Sequence, residues 1–158
     1  MSQAPVEDLT GRKYSPPQIT QFNVFLHNRV GVLGDLLDML DEQSVRVCAL
    51  SVADATDYAV VRLVTSNAVL TQRMLAHRGT AFTHTQVLGV ELSEGQTLGR
   101  VCRLLVGAEL NLRYAYPLMV RPRDEAIVAV HTDDQTLAGQ LLARKHFHLI
   151  DEDDLCGL

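Results

Sequence analysis

The feature that most constrains this chain is that it repeats itself. Leu33-Gly34 recurs 65 residues later as Leu98-Gly99. At that offset "VFLHNRVGVLGDLLDML" lies over "GVELSEGQTLGRVCRLL", and "VRVCALS" lies over "LNLRYAY". Beyond the segment "PLMVRPRDE" the match resumes at an offset of 67, with Leu70 against Leu137 and "MLAHR" against "LLARK". The slip falls where a loop tolerates insertion. A repeat of this size describes two copies of one small unit, not a solenoid.

Each copy carries the same order of elements. In the first, Phe22, Val24 and Leu26 alternate as a strand does. Leu33, Leu36, Leu37 and Leu40 then fall on one face of a helix. "SVRVCALSVAD" and "YAVVRLVTS" are β-branched strands joined by the turn "DATD". Asn67 caps a helix running through His77, with Leu70, Met74 and Leu75 apolar. Gly79 ends it, and "AFTHT" returns as a short strand.

The order βαββαβ predicts a four-stranded antiparallel sheet with both helices on one face, a ferredoxin-like α+β unit. One such unit leaves its sheet edges unpaired. Two in succession pair edge to edge, which predicts one eight-stranded antiparallel sheet with four helices on one face. The connection "THTQVLGVEL" is short enough for direct succession. The expected division is a loose N-terminal tail over 1–17, a first unit over 18–85 and a second over 86–158. Val6 and Leu9 are the tail residues expected to touch the surface.

Charge and composition exclude several functions. The formal net charge is −5, and the only basic cluster, Arg121 with Arg123, is flanked by Asp124 and Glu125. A nucleic-acid binder shows a basic stripe instead. No apolar stretch is long enough to span a membrane, and "MSQAPVEDLTGRKYSPP" has no apolar core of a signal peptide. The three cysteines are far apart and form no CxxC, so they read as reduced thiols. The expectation is a cytoplasmic protein with no cofactor, no nucleic acid and no membrane partner.

The turn "HNRVGVL", between a strand and a helix start, is the candidate site. Free N–H groups at a helix start suit a small anion. A phosphate does not fit the motif, because "GVLG" lacks both G-x-G-x-x-G and the Gly-Lys-Ser/Thr of a P-loop. A carboxylate does fit, and the Asn28 amide can both donate and accept, as a zwitterion requires. The plainer alternative is a strand-to-helix turn whose Gly31 serves backbone shape alone.

A strand entering "HNRVGVL" and then an amphipathic helix, within a duplicated βαββαβ unit, resembles the ACT domain. The likeness covers most of residues 19 to 155 and is close to stand-alone tandem-ACT proteins, through "FLHNRVGVLGDLLDMLDEQSVRVCALSVAD", "DYAVVRLV" and "LRYAY". The resemblance implies a non-enzymatic regulatory protein that binds a small amino acid between its two ACT copies. It places ligand between the first-strand turn of one copy and the second strand of the other. The first site would then use Asn28, Arg29, Val30, Gly31, Val32 and Leu33, with Tyr114, Ala115 and Tyr116 opposite. As plain packing residues, Tyr114 and Tyr116 lie on one sheet face, continued by Leu112 and Leu110.

The second copy departs from this pattern, with Gln96 in place of Gly31 and Ser93 in place of Asn28. A second, weaker site would use Ser93, Glu94, Gly95, Gln96, Thr97 and Leu98, with Leu50, Ser51 and Val52 opposite. Nothing in the chain orders a catalytic triad, and His27 beside the turn is a lone histidine. His146 and His148 with the acids at 151–154 lack further ligands at a metal-binding spacing. Exposed outer sheet edges and helix faces favour a homodimer, and with no catalytic domain in the sequence the expected reader of the response is a separate enzyme in trans. The alternatives are the small regulatory subunit of an enzyme such as acetolactate synthase, and an assembly module without ligand.

Overall fold

The first strand, β1 (Ile19–His27), buries Phe22, Val24 and Leu26 on one face and Ile19 and Gln21 on the other. Both faces being covered is what decides the architecture. A computed structural model describes residues 15–158. Residues 1–14, with Val6 and Leu9, lie outside the described residues. Pro16, within the segment expected as a tail, is buried and packs against Gly139.

The first unit continues with α1 (Val32–Glu42), β2 (Val47–Asp54), β3 (Tyr58–Thr65), α2 (Ala68–Arg78) and β4 (Ala81–Leu92). The second follows with α3 (Leu98–Gly107), β5 (Leu112–Pro117), β6 (Ala126–Thr132), α4 (Gln135–Arg144), β7 (Leu149–Ile150) and α5 (Glu152–Cys156). Asn67 caps α2 through its side chain, which accepts from Leu70 N–H, and Gly79 closes it at φ 74°. Helix α1 lays Leu36 and Leu40 on Phe22, Val24, Val61 and Leu63. Helix α3 lays Val101 and Leu105 on Leu88, Val90, Val128 and Val130. These are the helical stripes expected at the 65-residue offset.

The sheet order is β2-β3-β1-β4-β6-β5, all antiparallel, with β7 alongside β4. This corrects the expected eight strands to seven among the described residues. The last strand of the first unit and the first strand of the second are one strand, β4. Residues 81–87 pair with β1, and residues 88–92 pair with β6. "THTQVLGVEL" contains no turn-forming dipeptide, so nothing breaks the strand between the two pairings. Gly89 sits within it because Ile150 and Ile19 fill the space a side chain would need.

The sheet is also not open on its second face. Val64, Val87, Ile127 and Ala129 alternate with the helix-facing residues and form another core with Ile19, Cys48, Tyr116 and Leu118. The sheet curls until β2 meets the β5–β6 connection, where Met119 N–H donates to the Cys48 carbonyl at 2.7 Å. The expected four helices become five among the described residues. Asp151 and Asp154 form a reciprocal capping box that starts α5, and Leu155 buries itself in the inter-unit core. Four helices cover one face of the sheet, and α5 closes the other.

Candidate functional site

The turn between β1 and α1 is built without side-chain capping. Gly31, at φ 90°, is the N-cap residue, and a β-carbon is disfavoured in that conformation. Among the described residues, the Leu33 and Gly34 N–H groups at the start of α1 have no protein partner. Val30 stands at the tip of the turn, fully exposed. Asn28 is held aside: its Nδ2 donates to Asp54 Oδ1 at 3.0 Å and its backbone N–H to the Asp57 carbonyl at 3.3 Å.

Behind this turn lies a cleft of about 410 Å³. His27, Arg29 and Val32 form one wall, and Arg78, Gly79 and Thr80 at the α2–β4 turn form the other. Phe25, Leu36 and Ala81 supply apolar surface between them. Among the described residues no lining side chain is acidic, and Arg29 and Arg78 are cations, so the site attracts an anion. Arg78 Nη1 also donates to the Asp35 carbonyl at 3.4 Å, tying the end of α2 to α1. The positive end of α1 and the negative end of α2 therefore border one cleft. A broader, open groove of about 840 Å³ runs between α1 and α2, past Met39, Arg73, Met74 and His77; it shares Arg78 with the cleft and contains none of the Asn28–Leu33 turn residues.

Of the first expected set, Arg29 and Val32 line the cleft, Gly31 begins the helix, and Leu33 turns partly into the core. Tyr114, Ala115 and Tyr116 are elsewhere. Tyr116 Oη donates to Gln21 Oε1 at 2.6 Å, and Gln21 Nε2 donates to Tyr114 Oη at 3.0 Å. Gln21 is seven residues before Asn28 on an extended strand, about 23 Å away at ~3.3 Å per residue. Within one chain the two sets are not brought together. Ala115 pairs with Val130 in the ladder. The tyrosines instead join a half-buried network: Tyr114 stacks on His131 at 4.9 Å and lies 3.9 Å from the Arg62 guanidinium. Burial there, with Arg113 and Arg62 nearby, holds the His131 imidazole below its ordinary range.

The second expected set is arranged differently. Leu50 packs in the first unit's helical core, while Ser51 and Val52 pair with Arg62 and Val61. Gln96 folds back, accepting from Ser93 N–H at 2.9 Å and donating to the His146 carbonyl at 3.2 Å. Gly95 takes φ 80°, Thr97 caps α3 and Leu98 begins it. Glu94 is exposed. Sequence reasoning missed Arg78, Thr80 and Ala81, whose only signal was an arginine before the helix-ending Gly79.

A family model described as ACT domain pair matches residues 18–158. The chain belongs to this family. ACT domain pairs are regulatory modules that bind small molecules, and no protein of curated function matches this one. Among solved structures, protein BT0572 from Bacteroides thetaiotaomicron is similar at 22% identity and TM-score 0.80, covering 90% of this chain and 99% of that one. The ligand-free regulatory subunit of aspartate kinase from Thermus thermophilus is similar at 10% identity and TM-score 0.53, covering 82% and 93%. At these identities the likeness concerns the ACT fold. No helix of the described residues is long and apolar enough to cross a membrane.

Proposed function

We propose that this ACT domain pair is a non-enzymatic regulator that binds a small amino acid in the cleft behind the Asn28–Leu33 turn. The observation that carries this reading is the pairing of opposite helix ends across one cleft. The α1 N-terminus, with Arg29 and Arg78, suits a carboxylate; the carbonyl end of α2 suits an ammonium. A zwitterion answers both, whereas a phosphate answers only the first. The floor of Phe25, Leu36 and Ala81 favours a small apolar side chain.

Occupancy of the cleft would favour one arrangement of α1 against α2, and a separate enzyme would read that arrangement. Homodimerisation belongs to the same reading: Phe25 and Tyr58 stack edge-to-face on an exposed part of the sheet beside the cleft. Calorimetry with the twenty common amino acids tests the proposal. Binding by the wild-type chain, weakened about 10- to 100-fold in Arg78→Ala, is the expected result, from ~1.5–3 kcal/mol for a lost charge-assisted hydrogen bond. A folded wild-type chain that binds none of the twenty refutes it.

A further inference from the structure

We propose that the second unit carries its own occupant: the Gln96 carboxamide fills the place that a ligand takes in the first unit. The inference rests on the first-unit cleft being the ligand site, and it concerns what became of that site in the repeat. Gly31 and Gln96 are the same position at the 65-residue offset, which also sets the buried Leu36 and Leu40 against Val101 and Leu105. Gly79 and His146 are likewise equivalent, each ending its helix in left-handed backbone at φ 74° and φ 69°. The cleft of the first unit lies between the turns that hold Gly31 and Gly79. In the second unit Gln96 crosses between the corresponding turns, with one end on Ser93 N–H and the other on the His146 carbonyl.

The hydrogen bonds fix which end of the amide is which. A backbone N–H requires the oxygen, and a backbone carbonyl requires the NH2 group. Gln96 thus presents an acceptor to the strand–helix turn and a donor to the helix–strand turn. Turn for turn, that is the polarity assigned to the carboxylate and ammonium of a bound amino acid in the first unit. Atom for atom it differs, because the counterpart of Ser93 N–H, that of Asn28, donates to the Asp57 carbonyl and leaves the carboxylate to the Leu33 and Gly34 N–H groups. At Gly31 no side chain exists to make this bridge, and a Cβ built there meets nothing within 4 Å. One chain therefore binds one ligand, and the second unit is held permanently in the occupied arrangement.

The test removes the carboxamide and supplies it back. Gln96→Gly and Gln96→Ala are compared with wild type by thermal unfolding and by hydrogen exchange at Ser93 N–H, with and without acetamide, glycine and the twenty amino acids. In both variants Ser93 N–H is expected to exchange faster, and acetamide or an amino acid is expected to slow it and raise Tm more than in wild type. Stoichiometry for any amino acid that binds wild type is expected to rise from one per chain to two. If neither folded variant gains a response to any of these probes beyond wild type, Gln96 is an ordinary turn residue and the inference falls. Should the variants gain a response while wild type binds no amino acid, the proposed ligand site in the first unit fails and the inference fails with it as a comparison of the two units, leaving only that Gln96 fills a site of its own in the second.

Discussion

Gly89→Ala tests the junction at which the two ACT units share β4. A Cβ at this position would overlap Ile150 Cγ1 and reach 2.9 Å from Ile150 Cδ1 and 3.4 Å from Ile19 Cδ1. Ile150 is fixed in turn, since it pairs with Gly89 in the two-residue strand β7 and is almost fully buried. Overpacking of this kind costs about 1–3 kcal/mol. Replacing a mid-strand glycine returns roughly 0.5–1 kcal/mol of backbone entropy. The net expectation is a loss of about 1–2 kcal/mol, or ~2–8 °C in Tm for a chain of this size. Ile150→Ala alone costs about 2–5 kcal/mol by leaving a cavity. In the double variant the methyl added at position 89 enters that cavity, so the double loss is expected to be smaller than the sum by about 1–2 kcal/mol. Urea unfolding of the four chains measures this coupling. Strictly additive losses would mean that Gly89 is required for some reason other than Ile150, and the packing account of the junction would be wrong.

Three further outcomes follow from the inter-unit core and the thiols around it. Tyr116→Phe keeps the ring but leaves Gln21 Oε1, in a fully buried side chain, without its donor; unfolding in urea is expected to show a loss of about 1–3 kcal/mol. Burial pushes the Cys48 thiol up from 9.0 to about 11, and burial also raises the Tyr116 phenol. A raised pKa in the folded chain means that the folded state holds its proton while the unfolded state releases it. Stability is therefore complete below pH 9 and declines as pH rises toward 11, by about 2–3 kcal/mol for Cys48 at full titration. Denaturant midpoints across that range should fall less steeply in Cys48→Ala, and a flat wild-type profile would refute the assignment. At neutral pH, iodoacetamide is expected to modify exposed Cys156 and to leave buried Cys48 intact until the chain unfolds.

The parts of this fold that were legible are those in which local chemistry and tertiary structure agree. Asn67 and Gly79 bound α2 as their capping preferences require. The leucines of α1 face the core at helical spacing. The shared strand was less visible, because "THTQVLGVEL" pairs with β1 along one half and β6 along the other, and pairing partners leave no trace in one strand's own sequence. The curl of the sheet did leave a trace. Val87, Leu88 and Val90 are consecutive or near-consecutive apolar residues, which is how a strand buried on both faces reads. At the site, the glycine turn was evident from its residues, while its opposite wall at Arg78 lies some fifty positions later and carries no motif. Tyr114 and Tyr116 share a sheet face as their spacing required, but that face looks onto Gln21.

Because one strand serves both units, the molecule has no hinge where a linker would ordinarily be. Ala81 at one end of β4 lines the cleft, and Leu92 at the other end leads directly into the Ser93–Gln96 turn. The twelve residues of β4 span about 40 Å as one continuous strand. Torque applied at one end is delivered to the other without a joint to absorb it. An ACT pair built around such a shared strand passes strain at the cleft of one unit toward the Ser93–Gln96 turn of the other.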